Sequence, residues 1–393
     1  MDSNSVGITQ LQIVSKNISS NILIVDDEGD GDYESIQKAV DNAKAGDVIR
    51  IYSGVYREHV IIKKRVVLEG IPFEYGSGDD TGRPVVDGSD KGDVVVIEAN
   101  GCEINGLKIV RSGREYSMKT GVKILSDNCL IHNNTLEDNF IGISASASKN
   151  CTFRDNLVLC NIFGMYLSHP IGCNIINNRF YNSGLIVLAS SGEILTDTIV
   201  GNWVNNKPIS FHIGISNRVI SGLTCGEMIL IDCKNVTVKN LRVKNTSVGL
   251  IVENCSSLKV CNSIFENIHR GGISLHGKNC EIYNNTFYNC SYGCYLEGGM
   301  NFYIHHNNFI RVFKHDQPTL SWIKKHQTFV ESENIVFDKN YWDDWIGLKH
   351  QGLRFIPKVI PGFRKYWHKV LNIFPVFVFD KNPALTPYNN FSI

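Results

Sequence analysis

The chain has 393 residues, 43% hydrophobic and 20% charged, with 39 Lys+Arg set against 39 Asp+Glu and a sequence pI of about 7.2. That is apolar enough for one large solenoid or two to three ordinary domains, and the balanced charge gives no electrostatic ground for a nucleic-acid or anionic-membrane partner. No apolar run approaches the roughly 18 residues of a membrane-crossing helix.

Residues 1–21 are polar and patternless and read as a loose tail, and their start lacks the basic and apolar regions of a signal peptide, which leaves either a cytoplasmic protein or one whose leader has been removed. Ile22 to Val25 reads as a strand ending in the turn cluster Asp26-Asp27-Glu28-Gly29-Asp30-Gly31. A helix is expected over about 32–44, with Asp32 as N-cap, Glu34 in its first turn, and Ile36, Ala39, Val40 and Ala43 on one face. Strands follow at 48–52, 60–62 and 66–68.

From Cys102 onward the chain repeats itself. An eight-residue segment carries an apolar residue or Cys, an aliphatic, a polar residue (usually Asn) and an apolar residue at positions one, three, five and eight. It starts at Cys102, Cys129, Cys151, Cys173, Asp197, Val236, Leu258, Cys280, Phe302 and Ile335, and the four copies from Val236 to Phe309 are 22 residues apart. Period-two alternation marks a strand with one buried face, and a unit this short buries that face only by stacking on its copies. The fold class is therefore all-β: a single-stranded parallel β-helix spanning 22–345, with an N-terminal helical cap and an irregular C-terminal cap over 346–393. The wider steps imply a loop at 111–119, two coils between Asp197 and Val236 (one irregular), and a polar insertion at 311–330.

Asn at the fifth position suits a left-handed kink, and Asn139, Asn161, Asn182, Asn245, Asn267 and Asn289 form a second column. Both columns are read as amide ladders bonding the coils above and below. Asp155 and His306 then occupy inward ladder positions, with His305 on the opposite face. Most of the twelve Cys fall on packing positions, several at 22-residue steps, and no CxxC pair occurs, so packing is favoured over disulfides or zinc.

The run Ile24-Val-Asp-Asp, Gly31-Asp-Tyr33-Glu-Ser-Ile36, Gly46-Asp-Val-Ile49 and Gly54-Val-Tyr56-Arg-Glu, with Asn340-Tyr-Trp-Asp-Asp-Trp345 and Pro357-Lys-Val-Ile-Pro-Gly362, resembles pectin-lyase-like β-helix proteins. It is most similar to their NosD-like group, carbohydrate-binding/sugar-hydrolase repeat proteins common in archaea. The resemblance spans about residues 22–390. It implies a right-handed coil, an extracytoplasmic or cell-surface location, and glycan or copper association. Only five Met are present and no Met/His column is visible, so no cofactor is evident; a divalent metal (calcium or copper) has no clear motif.

On such a coil, reactive side chains are sought in columns. Gly142, Gly164, Gly249, Gly272 and Gly293 open one strand of each coil; two residues on lie Ser144, Tyr166, Ile251, Ser274 and Tyr295. Four residues on lie Ser146, Ser168, Glu253, His276 and Glu297. Glu253, His276 and Glu297 should stack on consecutive coils, with His269 and Arg270 flanking and Tyr295 offering a sugar-stacking ring. The trio suits a metal or an acid/base pair on a glycan, or simply a surface charge ladder. Asp343 and Asp344 between Trp342 and Trp345 suggest a patch within the terminal cap. Sequons at Asn17, Asn150, Asn254, Asn289 and Asn390 suit an exported protein.

The leading expectation is a non-catalytic surface β-helix protein binding a polysaccharide or surface glycan, with no nucleic acid and an open oligomeric state. The alternative is a polysaccharide lyase or glycoside hydrolase acting on an acidic polysaccharide, but the Asp residues between 120 and 340 form no outward column, and catalytic residues stay unassigned. A tailspike-like adhesin would need trimerisation, and no heptad run is present.

Overall fold

The computed structural model describes residues 20–114, 118–190, 192–193, 198–311, 328–330, 332–343, 358–365, 373–380, 382–384 and 386–388. Most of the tail, of the 311–330 insertion and of 346–393, together with Asn17, Asp197, Asp344, Trp345 and Asn390, lies outside them.

The chain is a right-handed parallel β-helix. An eight-stranded parallel sheet runs from Ile22–Val25 to Ile199–Val200, and a six-stranded one from Val60–Ile62 to Leu185–Leu188. Successive coils stack in register, Leu130 on Glu103 and Thr152 on Leu130, so equivalent side chains pile into columns inside the lumen. Cys102, Cys129, Cys151 and Cys173 form one such column, each at most 1% exposed. In the later coils the eighth position becomes a ring stack: Phe265 on Phe287 (5.3 Å), Phe287 on Phe309 (5.0 Å) and Phe309 on Trp342 (4.1 Å). These spacings follow the distance between neighbouring strands. All twelve Cys are free, and only Cys160 is exposed.

The helix is shorter than expected, Ile36–Asn42, and its N-cap is Ser35, not Asp32. Glu58, from a later turn, accepts the Ile36 and Gln37 N–H groups (2.8 and 3.0 Å), so the first turn is satisfied from outside. Asp32 instead accepts the Ile24 N–H. Buried Ile36, Ala39 and Val40 cover the apolar end of the first coils.

The amide ladders are displaced by one residue from the expected positions. The fifth residue of each segment does adopt the left-handed conformation: φ is 53° at Asn133, 56° at Asp155, 56° at Asn240, 51° at Asn262 and 54° at His306. That turn breaks the alternation, so this residue points outward and the next one points in. The inner ladder is thus Asn134, Asn156, Asn178 and Asn202, and later Ser263, Asn285, Asn307 and Asn340. Buried Asp380 terminates it, accepting the Asn340 N–H, the Asn340 amide and the Trp342 indole, each at 3.0 Å. Asp155 is exposed and pairs with Arg154 instead of joining the ladder. In the second column Asn139 and Asn161 are buried as expected, whereas Asn182, Asn245, Asn267 and Asn289 take the left-handed place. The last three bond one another on the outside (3.0 and 2.6 Å).

The irregular region between Asp197 and Val236 redirects the chain. Trp203–Val204 pairs antiparallel with Lys207–Ile213, after which a second parallel stack begins. Its strands Glu227–Ile231 and Arg242–Ser256 are buried on both faces at 227–231 and 248–252. Met228, Leu230, Leu250 and Val252 fill the second lumen; Ile229, Ile231 and Ile251 pack outward onto the first stack. Ser247 pins this seam, its Oγ accepting from the Gly184 N–H (2.9 Å) and donating to the Ile162 carbonyl (3.0 Å). Glu227, fully buried there, accepts the Thr246 hydroxyl at 2.7 Å, and burial drives its carboxyl well above the ordinary range.

Candidate functional site

The outer face of the second stack is built by three parallel strands, Arg242–Ser256, Ile264–Tyr283 and Tyr292–His305. Ile251, Ser274 and Tyr295 lie in register across them. Immediately beyond, the register shifts at bulges between Val252 and Cys255 and between Leu275 and Gly277. Bulges re-aim side chains, and the column of Glu253, His276 and Glu297 is bent accordingly. His276 Nδ1 lies 3.3 Å from Glu253 Oε2, while Glu297 Oε2 accepts from Arg270 Nη2 at 3.0 Å. His276 therefore bonds one carboxylate and senses the other only through its field.

Arg270 is the centre of the face. Its guanidinium sits 4.3 Å from the Tyr295 ring centroid and 5.9 Å from that of Phe163, which belongs to the first stack. Burial lowers its proton affinity, but the Tyr295 hydroxyl and the Glu297 carboxylate more than offset this and keep it raised. Tyr166, also from the first stack, has its hydroxyl pKa raised by burial, with the Arg270 charge opposing. The Tyr295 hydroxyl is pushed up to about 12, again by burial first. Tyr166 and Tyr295, far apart in coil number, thus converge on one guanidinium. Tyr292 meets Tyr295 edge-on at 5.5 Å.

Exposure sorts the roles. The side chains of His276 and Glu297 are 50% and 41% exposed, whereas Glu253 and Arg270, each 12% exposed, stand behind them. Burial raises the Glu253 carboxyl, opposed by His276. Glu253 in turn raises His276, more than burial lowers it. Pairing therefore strengthens the imidazole's hold on its proton and weakens the carboxyl's. Gly298, at φ 83°, brings the backbone against the imidazole: a Cβ there would lie 3.0 Å from His276 Cδ2.

His269 is not part of this face. Its Nε2 lies 3.0 Å from the Asn182 carbonyl oxygen, and it lines a cavity of about 270 Å³ at the seam with Cys160, Asn161, Ile162, Asn245 and Asn267. His305 and His306 do not point to opposite faces: their Nδ1 atoms are 2.7 Å apart, because the left-handed residue 306 folds its ring back. Asn307, not His306, is the ladder amide. Trp342 is 1% exposed at the end of the ring stack and is unavailable as a binding surface, while Asp343 accepts the Arg311 N–H at 2.6 Å.

One constellation escaped the sequence reading. Asp26, Glu28 and Glu74 bring one carboxylate oxygen each within 4.8 Å of one another, as do Asp27, Glu28 and Asp80. The acidic turn at 26–28 was visible; its approach by the loop carrying Glu74 and Asp80 was not. Among the described residues, the groups of three His, Cys, Asp or Glu with metal-ligand spacing hold carboxylates alone, donors that suit a hard cation better than copper.

Residues 168–313 and 227–344 match the family described as "Right handed beta helix region", and residues 40–222 match "Periplasmic copper-binding protein (NosD)". The probable pectinesterase 67 of Arabidopsis thaliana is 34% identical over 82 residues, 20% of this chain and 22% of that protein. A pectinesterase/pectinesterase inhibitor of Ficus pumila var. awkeotsang is 36% identical over 100 residues, 23% of this chain and 18% of that protein. The chain thus spans about a fifth of the length of these relatives. Among solved structures, pectin methylesterase from carrot aligns at 11% identity and a TM-score of 0.30, over 82% of this chain and 84% of that one. XylC in complex with xylose aligns at 11% identity and a TM-score of 0.35, over 81% and 83%.

Proposed function

We propose, on the premise that this chain is a NosD-like right-handed parallel β-helix protein, that it acts outside the cytoplasm as a glycan-binding surface protein. The observation carrying this reading is the junction face, where Arg270 is held between Tyr295 and Phe163 while His276 and Glu297 reach solvent beside it. Tyr295, half-buried beside Arg270, leaves part of its ring for a sugar, and the exposed carboxylate and imidazole groups accept from or donate to the sugar's hydroxyls. Glu253 and Arg270 hold the exposed pair in place.

A second reading has one observation in its favour. Glu253 is a buried carboxyl with a raised pKa next to an imidazole, the arrangement of a general acid. It would make the protein a glycoside hydrolase or lyase.

The test is a glycan array, followed by calorimetric titration with the hits and a reducing-end assay on the same glycans. Binding is expected to weaken by about tenfold or more in Tyr295→Ala, the loss of one good aromatic contact, and to fall in Glu297→Gln, without release of reducing ends. No array hit, or hits insensitive to both substitutions, would overturn the assignment of this face. Reducing ends released by the parent but not by Glu253→Gln would favour the enzyme.

A further inference from the structure

We propose that the acidic cluster where the Asp26–Gly31 turn meets the 73–82 loop is a site for one calcium-like divalent cation, held by Asp26, Glu28 and Glu74 with Asp27 and Asp80 on its flank. The cluster assembles carboxylates from two places about fifty residues apart in sequence. Oxygens of Asp26, Glu28 and Glu74 lie within 4.8 Å of one another, and Glu28 is shared with the neighbouring Asp27 and Asp80.

The independent observation is Asp26. This side chain is completely buried at 0% exposure; its Oδ2 accepts the Asp30 N–H at 3.1 Å, and its Oδ1 has no hydrogen-bond partner. A buried carboxylate oxygen without a donor, on a side chain clustered with two other carboxylates, is a costly arrangement unless something positive sits among them. Asp27 repeats the pattern: Oδ2 accepts the Val55 N–H at 2.9 Å, and Oδ1 is buried without a partner. Among the described residues, no Lys or Arg forms an ion pair with any of the five acids.

The donor set chooses the ion. Carboxylates alone select a hard cation over copper or zinc. Calcium–oxygen distances of about 2.3–2.6 Å place opposing ligands roughly 5 Å apart, whereas magnesium needs about 4 Å and a rigid octahedron. The loop is already shaped to present these oxygens. Asp30 accepts the Ser77 N–H and hydroxyl, each at 2.7 Å, and Glu74 accepts the Tyr75 and Asp80 N–H groups at 2.8 and 2.9 Å. A bound cation would fasten the first strand's turn to this loop and close the N-terminal end of the solenoid.

The full chain, stripped with EDTA, is titrated with calcium by calorimetry, with Tm followed alongside. Terbium luminescence is read as well, with Tyr56, whose hydroxyl feels the charges of Asp26, Asp27, Glu28 and Glu74, as the sensitiser. One calcium per chain is expected, with a Kd on the order of 10⁻⁴ M or tighter, a raised Tm, and magnesium binding weaker by about tenfold. Glu74→Gln and Glu28→Gln should each weaken binding by about tenfold while leaving the circular dichroism unchanged. Glu28 is exposed, so its substitution does not put folding at risk. Absence of binding and of a Tm shift in millimolar calcium, or binding that neither substitution changes, overturns the site. Magnesium matching calcium overturns the assignment of the ion.

Discussion

Replacing Asn156 by Ala tests what the inner ladder contributes. The Asn156 Oδ1 accepts from the Asn134 backbone N–H (3.1 Å) and from Asn134 Nδ2 (3.3 Å). Its Nδ2 donates to the Ile131 carbonyl (2.9 Å) and to Asn178 Oδ1 (3.0 Å). Not all four partners are stranded when it goes. Asn134 Nδ2 keeps the Ile104 carbonyl, and Asn178 Oδ1 keeps the Asn156 backbone N–H. The loss concentrates on the Asn134 N–H in the buried lumen, since the Ile131 carbonyl stays in the parallel ladder with the Arg154 strand. For one buried donor left without its partner, the substitution should cost about 1–3 kcal/mol. Asn156→Asp should cost at least as much, because a second oxygen would face the two acceptors that the amide now serves. The assay is urea denaturation followed by circular dichroism, with Lys149→Ala, on an exposed side chain, as a control expected within about 0.5 kcal/mol of the parent. Local hydrogen exchange should increase at Asn134 before it does elsewhere. An Asn156→Ala protein unfolding at the control's midpoint would refute the claim that these bonds, and not apolar stacking alone, hold the coils together.

Phe287→Ala removes the middle ring of the stack and should destabilise by about 3–5 kcal/mol in the same denaturation assay, more than Tyr288→Ala beside it on a half-buried position. His276 has a folded-state pKa above its unfolded value. Its stabilising contribution is therefore complete below pH about 6.5 and is lost as pH rises through the folded pKa. Glu253, also raised, gives a slope of the same sign from pH about 4.5 upward. Denaturation midpoints should fall with rising pH across this range, and His276→Asn should flatten the upper part; an NMR titration of the imidazole gives the pKa directly. Of the twelve thiols only Cys160 should react with a thiol reagent in the native protein. The rest should react after unfolding, since burial removes access and pushes thiols such as Cys280 up to about 11 and Cys290 up to about 12. Fast reaction of several thiols in the folded protein would contradict the packing of the Cys column.

Much of the coil was legible because a solenoid repeats its physics with its sequence. A residue that must face the lumen at Cys129 must do so again at Cys151 and Cys173, so period and burial could be read together. The ladder was legible in kind but displaced by one residue, since a left-handed residue such as Asn133 reverses the alternation that places its neighbours, and composition does not say which of two adjacent Asn takes the turn. The bulges that separate Glu297 from His276 were invisible for the same reason: a single extra residue re-aims side chains without altering the repeat. A signal for the seam was present, in the continuous apolar runs Met228-Ile-Leu-Ile231 and Leu250-Ile-Val252, which suit strands buried on both faces.

Local sequence therefore determined that coils form, stack and fill a dry lumen, because those requirements are met between neighbours one repeat apart. Tertiary structure alone decided that Phe163 and Tyr166 of the first stack meet Arg270 of the second, and that Glu74 and Asp80 approach Asp26. These encounters depend on the antiparallel turn at Trp203–Pro208 and on the path of a single loop, which are set by packing between elements that share no repeat.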